Sequence, residues 1–113
     1  MSRRLERVNV LLRNNISRII SSELSDPRLV GIHTVTSVET SPDLSSARVY
    51  ISVLGDDDSK TQTIAVLRSA AGVIRRGLRS TDLKRIPQLS FEIDDSIERG
   101  DEILRLINEA IDS

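Results

Sequence analysis

The sequence predicts an α+β fold in which helices cover one face of a three-stranded sheet. Two patterns carry that expectation. Apolar residues recur at spacings of three and four in three stretches, and β-branched or apolar residues alternate with polar ones in three others. Leu5, Val8, Leu12, Ile16, Ile19 and Ile20 form one stripe of an amphipathic helix over about residues 3 to 23, which Asp26 and Pro27 end. Val30, Ile32, Thr34, Thr36 and Val38 then alternate with Gly31, His33, Val35, Ser37 and Glu39, a period-two run that reads as a first strand. Ser41, Pro42 and Asp43 are turn formers. Beyond them Ala47, Val49, Ile51 and Val53 mark the inward set of a second strand, with Arg48, Tyr50 and Ser52 on its other face. The two strands are expected to pair as an antiparallel hairpin.

The stretch 55–59 reads as a polar, acidic loop. After it Ile64, Leu67, Ala71, Ile74 and Leu78 step along a helix of about 20 residues. Gly72 lies in its interior, where glycine costs about 1 kcal/mol relative to alanine, so the segment is expected to be two short helices joined at a kink. Pro87 introduces a third strand with Leu89, Phe91 and Ile93 alternating with Gln88, Ser90 and Glu92. Ile103, Leu104, Ile107 and Ile111 suggest a terminal helix packed on the body. With no internal repeat or linker, residues 1–113 are read as a single domain.

The bulk composition narrows the function. An apolar fraction of 38% suffices for one core. The absence of cysteine and the single histidine give no basis for a disulfide framework, a metal site or a cofactor. Neither a signal peptide nor an apolar run of roughly 20 residues is evident, so a soluble cytoplasmic protein without membrane contact is expected.

The net charge of −1 is misleading as an average. Residues 1–28 carry six basic and three acidic groups, residues 29–65 two and five, residues 66–86 six and one, and residues 87–113 two and eight. Fourteen of the sixteen cations are arginine, whose planar fork pairs two ways with phosphate. Such a segregated chain can present one cationic face to nucleic acid.

The second helical stretch is where that face is sought. Arg68, Gly72, Arg75 and Arg79 are separated by four, three and four, so on a helix they share one side. Bare backbone at Gly72 would let a sugar-phosphate chain approach closely while the flanking guanidiniums pair with its oxygens. If the helix breaks there, its second half starts near Val73 and presents free N–H groups to an anion. Arg76, Lys84 and Arg85 extend the basic region, and Arg3, Arg7, Asn14 and Arg18 give the first helix a weaker line opposite its apolar stripe. The bland alternatives are an ordinary solvated face for either helix, and a second helix crossing close to Gly72.

With only Tyr50 and Phe91 as aromatic residues, base stacking on the sheet is not expected. Catalysis has little support. Asp56, Asp57 and Asp58 read as a solvated loop rather than a Mg²⁺ site, Asp94 and Asp95 as a turn, and His33 has no evident partner. No phosphate-binding glycine loop or nucleophile motif appears.

Along nearly its whole length the chain resembles the ribosome-binding factor A family. The matching residues are Arg7 and Val8; Asp26, Pro27, Arg28 and Leu29; Val35 and Val38; Asp43, Leu44, Ala47, Val49 and Tyr50; and Val53, Leu54 and Gly55. Ala70, Ala71, Gly72, Ile74 and Arg75 follow, then Pro87, Leu89, Phe91 and Asp94. The resemblance implies a type II KH-like domain in which the usual Gly-x-x-Gly loop is replaced by an interhelical kink, here at Ala70, Ala71 and Gly72. It also implies a monomeric, non-enzymatic factor that binds the 16S rRNA of the immature small ribosomal subunit late in its maturation and is linked to growth in the cold. An assembly GTPase is a further candidate partner. The other expectation weighed beside it is a protein-interaction module that acts on ribosomal proteins without direct rRNA recognition. The short acidic carboxyl-terminal stretch departs from the longer charged tail of many relatives.

Overall fold

In a computed structural model, residues 3–24 and 32–112 are described, so Asp26, Pro27, Arg28, Leu29, Val30 and Gly31 lie outside the described residues, as does the His33 side chain. The first helix, α1 (Arg3–Glu23), buries Leu12, Ile16, Ile19 and Ile20, the stripe its spacing marks. Strands β1 (Ile32–Thr40) and β2 (Ser46–Val53) form the antiparallel hairpin, and β3 (Gln88–Ile93) lies parallel to β2, giving the order β1-β2-β3. Between β2 and β3 run α2 (Asp57–Ser69) and α3 (Ala71–Leu78), and α4 (Ser96–Asp112) follows β3.

The core forms where α1, α2 and α3 meet one face of the sheet. Val49, Ile51 and Phe91 meet Leu12, Ile16, Leu67, Ile74 and Leu78 there, all essentially without solvent exposure. This is the α+β arrangement expected from the two periodicities.

Three local expectations are corrected. Strand β1 does not keep period two: Thr36 has no register partner on β2, because Val35 pairs with Ile51 and Ser37 with Tyr50, and its hydroxyl instead reaches the Tyr50 carbonyl at 3.3 Å. That bulge turns both Val35 and Val38 into the core, positions that strict alternation would place on opposite faces. The acidic loop is largely the start of α2, since Asp56 caps it by accepting the Ser59 N–H at 2.8 Å, and Asp57 and Asp58 occupy the first turn, where carboxylates suit the helix dipole. Accepting that backbone hydrogen bond lowers the Asp56 pKa.

The third correction concerns α4, which is not packed on the body. Its Ile103, Leu104, Leu106, Ile107 and Ile111 are 49% to 74% exposed. Its start is tied down: the Ser96 N–H donates to Asp94 Oδ1 at 2.9 Å, while Asp94 itself receives the Thr36 hydroxyl at 2.6 Å and donates its N–H to the Ile51 carbonyl at 2.8 Å. Asp94 thus serves as the turn residue its sequence context suggested.

Candidate nucleic-acid interface

The helical stretch does break, at Ala70 rather than at Gly72. Ala70 adopts φ −90° and ψ 0°, between the α and β regions, and its N–H is shared between the Val66 and Leu67 carbonyls at 3.0 and 3.1 Å. The α3 ladder restarts with the Ile74 N–H on the Ala70 carbonyl, so α3 begins at Ala71, two residues before the expected Val73. No side chain caps it. Gly72 sits in the first turn of α3, exposed, and a β-carbon built on it would meet nothing within 4 Å. The bare backbone is therefore open, and among the described residues no crossing helix accounts for this glycine.

The crossing glycine is Gly77. A β-carbon there would lie 2.8 Å from Ile19 Cδ1 and 3.1 Å from Ile19 Cγ1, so α1 and α3 approach so closely at this point that even a methyl group requires the Ile19 side chain to shift. Sequence reasoning missed it. The signal was Gly77 standing on the Ile74 and Leu78 side of the helix, but which glycine meets the neighbouring helix depends on the angle at Ala70.

The cationic residues are redistributed accordingly. On α3 the outward stripe is Gly72, Arg76 and Arg79, at spacings of four and three, with both arginines exposed. Arg75, expected in that stripe, turns toward the body. Its Nε donates to the Pro87 carbonyl and its Nη2 to the Ile86 carbonyl, each at 3.1 Å, and it is half-buried. Two of its donors are thus committed to fixing the segment that leads into β3. Replacing Arg75 with alanine should cost about 1.5–3 kcal/mol of stability in urea denaturation, because both carbonyls lose a charged donor, and lysine should restore only part of it for want of a fork.

Arg68 is exposed in the last turn of α2, where it suits the helix dipole, and it borders a groove of about 570 Å³ lined also by Lys60, Ile64 and Ile93. Ala70 and Ala71 form the bend and are half-buried. Lys84 and Arg85 are exposed in the connection to β3. Arg85 is close enough to the Asp43 turn to contribute to lowering its pKa to about 2, an effect dominated by hydrogen bonds from the Ser45 and Ser41 hydroxyls. Arg3, Arg7 and Arg18 are exposed on α1, and Arg18 reaches Asn15 Oδ1 at 3.2 Å. Among the described residues no group of three or more histidine, cysteine, aspartate or glutamate side chains could hold a metal ion, and no helix is long and apolar enough to cross a membrane.

The family resemblance implied an interhelical kink at Ala70, Ala71 and Gly72, and the bend at Ala70 with Gly72 beside it has that form. The family model described as "Ribosome-binding factor A" matches residues 4–107. The chain belongs to the ribosome-binding factor A family. Its relatives of that name include the protein of Acetivibrio thermocellus, 45% identical over 94% of this chain and 87% of its own length. The protein of Dictyoglomus thermophilum is 41% identical over 96% and 92%. The solution structure of a ribosome-binding factor A from Thermotoga maritima, described as putative, superimposes with a TM-score of 0.62 at 28% identity, covering 75% of this chain and 85% of that one. A homology model of the Thermus thermophilus ribosome-binding factor A, as fitted into an electron cryo-microscopy map of its complex with the 30S subunit, superimposes with a TM-score of 0.63 at 25% identity over 77% and 91%. The α+β architecture with its three-stranded mixed sheet is that of ribosome-binding factor A.

Proposed function

We propose that this chain, acting as a single unit over residues 1–113, is a cytoplasmic, non-enzymatic assembly factor of the small ribosomal subunit that holds a precursor conformation of its 16S rRNA late in maturation. The observation that carries the reading is the open backbone of Gly72 on the same side of α3 as the exposed Arg76 and Arg79. A phosphate chain can reach the helix axis at the glycine and pair with guanidiniums one turn and two turns further on. Arg68, Lys84 and Arg85 extend the contact along the bent hairpin, and Arg3, Arg7 and Arg18 on α1 offer a second, outer line. Ala70 and Ala71 act by setting the bend, and Arg75 by holding the segment before β3. The Thermus relative's complex with the 30S subunit supports the choice of partner. The chain binds as a monomer, assists maturation under cold growth, and leaves when an assembly GTPase or a completed rRNA fold displaces it.

The test is quantitative binding to precursor small subunits across a salt series. Replacing Arg76 and Arg79 together with glutamine should weaken binding about tenfold and flatten the slope of log K against log salt by roughly 0.9 for each phosphate that is no longer neutralised. Both side chains are exposed, so the thermal transition should be unchanged. Unaltered affinity and slope would remove this face from the function. Salt-insensitive binding would favour the alternative of a module that binds ribosomal proteins without recognising rRNA.

A further inference from the structure

The helix α4 is an amphipathic element whose apolar side is left uncovered among the described residues. Ile103, Ile107 and Ile111 repeat every four residues, with Leu104 and Leu106 on either side of them, and all five side chains are exposed. A helix of 17 residues is marginal in water on propensity alone, and most helices owe their stability to the packing of their apolar face. Contiguous apolar surface of this kind, bordered by charge, marks an interaction site in a soluble protein.

The charge around the stripe says what fits it. The segment 96–112 contains five acidic residues and two arginines. Glu102 and Glu109 border the Leu106 edge of the stripe, and Arg105, between them in sequence, is within 3.9 Å of Glu102. A phosphate backbone or an anionic bilayer would be repelled, and the stripe has no aromatic ring on which a base could stack. A second α4 would bring like charges together. The body of the chain is a poor cover, because the base of α4 is fixed by the hydrogen bonds of Asp94 to β1, β2 and Ser96.

From these features we infer that α4 is a docking surface for a basic protein segment that carries its own apolar stripe. Ile103, Ile107 and Ile111 are the anchors, and Glu102 and Glu109 pair with lysine or arginine at the rim. This surface uses none of the cations proposed for the α2–α3 face, and the inference does not depend on rRNA binding there. The two together would let one small chain hold nucleic acid with one arm and a cationic protein with another.

The test uses the full chain and a fluorescent helical peptide with leucine on one face and lysine on the other, followed by anisotropy and amide chemical-shift mapping. The peptide should bind in the micromolar range, with shifts concentrated in residues 102–111. Ile107→Asp should weaken binding at least tenfold while leaving the circular dichroism and the α3 cations intact. Exchanging Glu102 and Glu109 for lysine should transfer the preference to a leucine–glutamate peptide. Equal binding to Ile107→Asp, or shifts centred on the acidic start of α2, would overturn the proposal. So would concentration-dependent self-association abolished by Ile107→Asp, which would make the occupant a second copy, its α1 presenting Val10 and Leu11 among Arg3, Arg7 and Arg18.

Discussion

Gly72→Glu should bind precursor small subunits about a hundredfold more weakly than the parent chain, while folding as well or slightly better. The fold tolerates the change because Gly72 is helical, exposed and free of neighbours within 4 Å of a β-carbon. Glutamate is a far better helix former than glycine, by up to about 1 kcal/mol, and a carboxylate in the first turn suits the helix dipole. At the proposed contact the same side chain would fill the space that lets a phosphate chain approach, and would set a negative charge against it. Like charges brought together at an interface cost several kcal/mol, of which about 2.8 kcal/mol corresponds to a hundredfold. Gly72→Ala separates the two causes, since it adds bulk without charge and should lose a smaller part of the affinity. The measurements are a chemical denaturation curve and a binding isotherm on the same preparation. Raised stability with undiminished affinity would show that nothing approaches α3 at this point.

Five residues further along, the same kind of substitution should have the opposite consequence. Gly77→Leu is expected to destabilise the chain by about 3 kcal/mol, the upper part of the usual range for overpacking. The β-carbon alone would already overlap Ile19 Cδ1, and Ile19 is wholly buried, so a leucine must push α1 away from α3. That movement opens the packing among Ile16, Ile19, Ile74 and Leu78. A loss of this size lowers Tm by roughly 10–20 °C for a domain of this length. Gly77→Ala should be close to neutral, because the helix-propensity gain offsets a clash that the end of the Ile19 side chain can relieve by turning. Thermal unfolding of the two variants checks both statements, and a Gly77→Leu protein as stable as the parent would mean that α1 and α3 can separate without cost.

These two glycines show where sequence reasoning stops. The pattern around Gly72 announced a break, and the α1, β2 and β3 faces followed from spacing alone, because apolar residues at those periods can be buried in only one way. The family itself was readable in ordered residues from Arg7 to Asp94. The bulge at Thr36 was not readable, because an extra residue in a strand is defined by its partner on β2, which the β1 sequence does not contain. Nor was the fate of Arg75. A helical wheel puts it within reach of both solvent and the β3 connection, and the Ile86 and Pro87 carbonyls claim it only once that connection folds back.

Local periodicity and charge order therefore determined most element types, the core faces of α1, β2 and β3, and the segregation of cations from anions, while the ordered residues from Arg7 to Asp94 carried the resemblance to the family. Tertiary structure decided which arginine points outward, which glycine is open and which is packed, and that the apolar side of α4 is left uncovered. The reason is one of range. A residue's face within its own helix or strand is set by bonds a few residues apart, whereas its neighbours across the fold are set by angles between elements, such as the bend at Ala70, that accumulate over the whole chain.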